Sequence, residues 1–437
     1  MRLKPLHAMV LCLAALVLCP GCDPPNQLEA SPSGDTLYFA LSTLPQYHIY
    51  QGSRVYAFDV EGGRLRLLSD HWAMNTWVSG APDGGQFCYT RCHSQSHFTL
   101  HLQKRGEQDA RQIGAVYNAY AAPHFVPGKS PRILAFEGRS LYLLNWTLFD
   151  TAGREVGLPI DASRKAVGTD TPAIATDRVA VPVYGLIKEY WKTGQKPWGI
   201  WIVVADLSGD TPVVTEAALF DVHHYETQKN FLDYPSIDLD FSPDGNRLVM
   251  SKFEHLGTAF YEIDASGASA PRELFTDKQA WAPKWTPDGK GVVYFRKHPD
   301  PVKWNRLQAV LWRPDGDGPK PVAEFPGQVR RSGEVLRRLP DGRMRLAAFA
   351  DDGIRIIDMN ADGSAPAERH LSRDMLGRQM ALAYFELRFE RNRKVNQYQA
   401  PWEVMKHFYK MEQPKDVARE DLVARALELA WKENTAW

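Results

Sequence analysis

Through most of its length the chain alternates apolar and polar positions in short runs, and each run is cut by Gly, Pro, Asp or Ser. Period-two alternation turns one side chain inward and the next outward, so such runs predict β-strands, and many short strands with frequent turns predict an all-β fold. The turns share one form, a residue followed by Pro, an Asp or Ser, and Gly. Five clear copies are Ser31-Pro32-Ser33-Gly34, Ala81-Pro82-Asp83-Gly84, Ser242-Pro243-Asp244-Gly245, Thr286-Pro287-Asp288-Gly289 and Leu339-Pro340-Asp341-Gly342. Each precedes an alternating run, such as Arg247-Leu248-Val249-Met250 or Gly291-Val292-Val293-Tyr294-Phe295. Pro fixes φ at the first central position, Asp can accept from the backbone two residues on, and Gly tolerates positive φ where a hairpin closes.

A third strand with its own polar turn follows, as in Thr258 to Asp264 before Ala265-Ser266-Gly267, and then a short fourth at Arg272 to Phe275. Four antiparallel strands per unit make a propeller blade. A degenerate copy stands at Val126-Pro127-Gly128, and a worn one at Thr171-Pro172-Ala173-Ile174 with Arg178-Val179-Ala180-Val181 after it. Counting both gives seven blades; six is the alternative if the worn copy is only a loop.

These tetrads and their flanking strands resemble the repeats of the TolB-type β-propeller family over roughly residues 25 to 372. The resemblance implies a TolB-like propeller and says little of activity. Such blades serve periplasmic scaffolds, the propeller domains of prolyl oligopeptidase-like peptidases, and oligogalacturonate lyase. A peptidase would need an α/β-hydrolase domain with a Gly-x-Ser-x-Gly elbow, and the chain shows no such motif.

Outside the repeat the pattern changes three times. At the N-terminus Arg2 and Lys4 precede an apolar run from Ala8 to Leu18 that is too short to span a bilayer and ends at Cys19-Pro20-Gly21-Cys22. Residues 1–21 therefore read as a signal peptide. Gly21-Cys22 resembles a lipobox, which implies lipidation of Cys22, although Cys19 and Pro20 depart from that pattern; cleavage as a plain secretory signal is the alternative. An aromatic-rich insertion at about 183–236 interrupts the propeller domain, residues 22–372, and contributes Tyr190, Trp191, Trp198, His223, His224 and Tyr225 as candidate ligand-binding side chains. Part of it, Gly199 to Val204, reads as an ordinary blade strand. From Arg373 to the end the period becomes helical, with Leu376, Met380, Ala383, Tyr384 and Leu387 on one face and further candidate helices from Pro401 and from Val417 to Trp431. This extension is expected to dock on its own domain. Whether the ring closes through the N-terminus, the tail or neither is left open by the sequence.

Composition narrows the partners. Of 437 residues 44% are apolar and 24% charged, and Lys+Arg and Asp+Glu are each 52, so no net field favours nucleic acid. Of five cysteines only Cys88 and Cys92 fall in the folded part, a candidate disulfide that needs a turn between them, because four residues of extended strand separate Cα atoms by about 13 Å. Cys92, His93 and His97, with Cys88 and His101 nearby, are weak metal candidates, since their spacing does not decide and the segment reads as strand, turn, strand where structural zinc ligands usually sit on a knuckle or helix; unlinked residues are the third reading. Acidic pairs such as Asp238 with Asp240 and Asp351 with Asp352 read as solvated charge at turns or strand ends. No catalytic residue and no cofactor is assigned.

The expectation is a lipoprotein anchored by its N-terminal lipid to the inner or outer membrane, facing the periplasm. There it would act as a non-enzymatic propeller scaffold recognising a protein or envelope glycan. The alternative is a carbohydrate-active enzyme resembling oligogalacturonate lyase, or a glycan binder, using the propeller funnel and histidines such as His48, His71, His124, His223, His224 and His255.

Overall fold

A computed structural model describes residues 28–394 apart from the connecting segments 42–52, 117–122, 139–143, 167–170, 187–197, 222–236, 327–333 and a few shorter stretches. Residues 1–27 and nearly all of 395–437 lie outside the described part.

The strands fall into seven consecutive antiparallel blades. Blade 1 holds β1 (Leu28–Ala30), β2 (Thr36–Leu41), β3 (Ser53–Asp59) and the first half of the long β4 (Arg64–Gly80). The second half of β4 opens blade 2 and pairs with β5 (Gln86–Ser94), then β6 (His97–Lys104) and β7 (Arg111–Val116). Among the described residues blade 3 is β8 (His124–Val126), β9 (Arg132–Gly138) and β10 (Leu144–Asp150), with a bridge from Phe149 to Glu155 beyond β10. Blade 4 is β11 (Ala173–Ala175), β12 (Arg178–Leu186), β13 (Trp198–Asp206) and β14 (Val213–Asp221). Blade 5 is β15 (Ile237–Phe241), β16 (Arg247–Glu254), β17 (Gly257–Asp264) and β18 (Arg272–Asp277). Blade 6 runs β19 (Ala280–Trp285), β20 (Val292–Lys297), β21 (Leu307–Trp312) and β22 (Lys320–Phe325). Blade 7 runs β23 (Glu334–Arg338), β24 (Met344–Ala350), β25 (Gly353–Met359) and β26 (Ala367–Ser372). The count is seven, not six.

Each tetrad closes the hairpin between a blade's first and second strands as its chemistry requires. Gly245 adopts φ 72° and donates its N–H to Ser242 O at 2.9 Å, and Gly289 does the same to Thr286 O with φ 65°. Where the residue before Pro is Ser or Thr, it contributes through its hydroxyl. Ser242 Oγ accepts from Arg247 N at 3.0 Å and donates to Asp244 Oδ1, which in turn accepts from Asn246 N at 3.1 Å. Thr286, Asp288 and Lys290 repeat this arrangement in the next blade. Blade 4 corrects the sequence reading. Its hairpin turns at Thr176 and Asp177, the latter at φ 54°, so Pro172 stands before the inner strand rather than in the turn. The supposed insertion is also shorter, because β12, β13 and β14 are blade 4 itself and bury Tyr184 and Trp201.

Adjacent blades are keyed together by arginines. Arg178 of blade 4 donates to Gly245 O at 2.6 Å, Arg247 of blade 5 to Gly289 O at 3.1 Å, and Arg345 of blade 7 to Gly34 O of blade 1 at 2.8 Å. Each reaches the tetrad glycine of the next blade. Apolar side chains fill the wedges between, as where Ile202, Val204 and Ala218 of blade 4 meet Leu239, Met250 and Ile263 of blade 5.

Among the described residues no strand is shared between the first and last blades. Blade 1 is made wholly of early strands and blade 7 of late ones, and the seam between them is covered by one helix, α1 (Arg373–Lys394). Leu376, Met380 and Ala383 of α1 join Leu65, Leu67 and Phe58 of blade 1 and Ile354, Ile356 and Leu371 of blade 7 in one buried cluster. Gln379, fully buried, accepts from Leu65 N at 3.0 Å and donates to Gly63 O at 2.8 Å, so it ties the helix to the start of β4. Arg64 and Glu386 form an ion pair beside it.

Candidate functional site

Among the described residues, charge gathers in the channel wall formed by the inner strands β15, β19 and β23. Along β15 Ile237, Leu239 and Phe241 alternate with Asp238 and Asp240, and all five residues are buried. Apolar and acidic side chains therefore leave opposite faces of the strand, and the acidic face meets β19 of the next blade. There β19 is bulged, its pairing passing from Trp281 opposite Phe295 to Lys284 opposite Val293. A bulge leaves backbone N–H groups without a ladder partner, and buried N–H groups must find one elsewhere. Asp238 Oδ2 accepts from Ala282 N and Asp240 Oδ2 from Trp285 N, both at 3.0 Å. These carboxylates are thus structural acceptors, not the solvated turn charges expected from the sequence.

Two cations converge on Asp240. Lys284 Nζ lies 3.2 Å from Oδ1, and Arg338 Nη1 lies 3.1 Å from Oδ2 while also donating to Phe241 O at 2.6 Å. Arg338 belongs to blade 7 and Asp240 to blade 5, so this contact spans the channel past blade 6. Burial pushes the Lys284 ammonium below its ordinary value, the Asp240 carboxylate opposes that, and the neighbouring Arg337 and Arg338 guanidiniums add to it. Arg337 turns the other way, with Nη2 3.3 Å from Ala30 O of blade 1. The sequence showed each of these side chains but not their convergence, since the contacts join residues 44 to 98 positions apart.

The residues singled out from the sequence are distributed differently. Cys22, Tyr190, Trp191, His223, His224 and Tyr225 lie outside the described residues, as do His48 and His255. Trp198 begins β13 opposite Leu186. Cys88 and Cys92 both lie on β5, which runs extended between them, Cys88 opposite Leu102 and Cys92 opposite Phe98. The turn that a bridge requires is not there, so the candidate disulfide is corrected by strand geometry. His93 Nε2 and His101 Nε2 each sit 2.7 Å from Thr99 Oγ1, and the His101 ring stacks on Tyr89. Thr99 Oγ1 thus lies between the two imidazoles, and no three His, Cys, Asp or Glu among the described residues are grouped as metal ligands. His97 lies on β6 and His124 on β8, in different blades.

The described strands thus define a seven-bladed β-propeller. No protein-family model matches the sequence, and no curated protein does. Among solved structures the chain is similar to TolB from Acinetobacter baumannii, at 11% identity and a TM-score of 0.39, covering 78% of this chain and 77% of that one. It is also similar to oligogalacturonate lyase from Vibrio parahaemolyticus, at 10% identity and a TM-score of 0.44, covering 79% and 89%. A third is a puromycin-hydrolysing peptidase of Mycobacterium tuberculosis, at 12% identity and a TM-score of 0.47, covering 80% of this chain and 54% of that one. One of these is named a lyase and another a peptidase, and a propeller fold by itself assigns neither activity.

Proposed function

We propose that this chain is an exported lipoprotein, lipidated at Cys22 and held on the periplasmic side of a membrane, whose ring is a non-enzymatic scaffold for recognising a protein or envelope ligand. One observation carries the recognition part. The strand ends Leu186, Trp198, Asp221 and Ile237 bracket the segments that hold Tyr190, Trp191, His223, His224 and Tyr225, and all four ends lie at the rim of blades 4 and 5 away from the tetrad turns. Two aromatic segments thus leave one rim of a locked frame. Aromatic side chains on connections held by a rigid scaffold are favoured for binding, since they offer large contact area at low entropic cost. The channel carboxylates support the same reading: Asp240 has both oxygens engaged in joining blades, which suits a frame better than a proton-transfer group.

The anchor is tested by expressing the full chain and its Cys22→Ser variant with a labelled fatty acid. Label and membrane fractionation are expected in the first and not in the second; an unlabelled wild type overturns the anchor. For recognition, a photo-crosslinking residue at Trp191 should give a discrete adduct in cells that is lost when His223, His224 and Tyr225 are replaced by Ala. Release of unsaturated uronate from oligogalacturonate by the purified chain, absent in a channel variant such as Lys284→Met, would overturn the non-enzymatic reading in favour of a lyase.

A further inference from the structure

We infer that the channel beside Asp240 is a binding site for a monocarboxylate, held by Lys284 and Arg338. The inference does not depend on the lipid anchor or on the aromatic segments.

Lys284 and Arg338 face one carboxylate between them. Among the described residues Asp240 is the acceptor of Lys284 Nζ, at 3.2 Å through Oδ1, and Oδ2 is shared between Arg338 and Trp285 N. Two positive charges therefore rest on one negative charge in a setting where the side chains of Lys284, Arg338 and Asp240 are only 17%, 28% and 6% exposed. Cations held largely out of water favour a further anionic acceptor beside them.

Donors are also left over, and their geometry selects the anion. Among the described residues Arg338 spends Nη1 on Asp240 and Phe241 O and has no acceptor on its Nε and Nη2 edge. That edge presents two parallel N–H groups, the fork that a planar carboxylate meets with both oxygens. Lys284 has three N–H donors and uses one on Asp240. Because Asp240 stays beside the site, a dianion such as phosphate would meet like-charge repulsion that a monoanion meets less. The same balance accounts for Lys284: its ammonium is disfavoured by burial and by the two arginines, and a bound carboxylate would restore the charged form.

The probe is propionate, added to the purified full chain at constant ionic strength against chloride and inorganic phosphate. Acylation of Lys284 by an amine-directed reagent, followed by mass spectrometry, should fall with propionate, and the melting temperature should rise. Lys284→Met and Arg338→Met should each weaken the propionate effect by about tenfold or more, as expected when a charge-assisted hydrogen bond is removed. Should either variant fold poorly, Arg338→Lys keeps the charge and loses the fork, so it should melt like the wild type in chloride and respond to propionate about tenfold more weakly. No protection of Lys284 by propionate, or stronger protection by phosphate, overturns the assignment.

Discussion

The recurring tetrad is a small hydrogen-bonding device in which each residue type has its own part. Ser242 satisfies the N–H of Arg247, Asp244 holds Ser242 Oγ and Asn246 N, and Gly245 supplies positive φ. The bond from Ser242 Oγ, helped by Asn246 N, holds the Asp244 carboxyl below the usual carboxylate range. At Asp288 burial pushes the other way, and the bonds from Thr286 and Arg313 outweigh it with the same result. A carboxyl whose folded pKa lies below its unfolded value of about 4 stabilises the fold above that pH and loses the contribution as pH falls through the folded pKa. Melting temperature is therefore expected to drop between pH 5 and pH 2, and less steeply in an Asp244→Asn, Asp288→Asn double variant, which keeps the acceptor and cannot titrate; equal slopes would refute this. Arg345 makes the opposite kind of contact, buried at the seam with both nitrogens of its fork on Asp358 at 2.6 Å and a third bond to Gly34 O. Replacing it with Met would leave Asp358 supported by Arg369 alone, at an expected cost of about 3 kcal/mol in urea unfolding. A loss below about 1 kcal/mol would show that the seam does not depend on this pair. The tetrads were legible because the bonds that close each turn join residues within five positions of one another. Asp238 and Asp240 were misjudged because their partners lie on β19 and β23, and a one-dimensional pattern cannot distinguish an acid at a strand end from one that completes a neighbour's bulge.

At the scale of elements, the helix is what the sequence could place but not explain. The spacing of Leu376, Met380 and Ala383 predicted α1, and those three residues are the ones it buries. Its decisive contact comes from a polar residue on the same face, Gln379, whose amide pairs with both a donor and an acceptor at the start of β4. Gln379→Leu should preserve the helix and strand Leu65 N and Gly63 O without partners. The expected loss is about 2–3 kcal/mol, and Gln379→Glu should be intermediate, since it keeps the acceptor for Leu65 N and loses the donor to Gly63 O. A Leu variant as stable as the wild type would mean that apolar packing alone seats the helix. Blade 4 shows the reverse difficulty. Its turn lacks Pro and Gly, and Asp177 takes the left-handed conformation that short polar side chains tolerate, so the nearest proline, Pro172, drew the assignment five residues too early.

On the scale of the whole molecule, the mode of closure decides where the ring is weakest. Blade 4 is joined to blade 5 by Thr171 N to Ile237 O at 2.8 Å and by Arg178, blade 5 to blade 6 by Arg247 to Gly289 O, and blade 6 to blade 7 by Arg313 to Ala361 O at 2.9 Å. The junction from blade 7 back to blade 1 joins the last described blade to the first instead of two blades consecutive in the chain, and there Arg337, Arg345 and Arg369 bridge it while α1 covers it. Repeats spaced at blade length could announce seven units but not this asymmetry, because every blade looks alike in sequence and the seam is defined by which two happen to be first and last. Local opening should therefore begin there. In a chain ending at Ser372, amide exchange is expected to rise across residues 28–67 and 334–372 while Ile237 to Asp264, in a blade flanked on both sides, stays protected. Uniform acceleration around the ring would mean that α1 stabilises the propeller globally, and unchanged exchange at Leu65 and Leu371 would mean that the arginines close it without the helix.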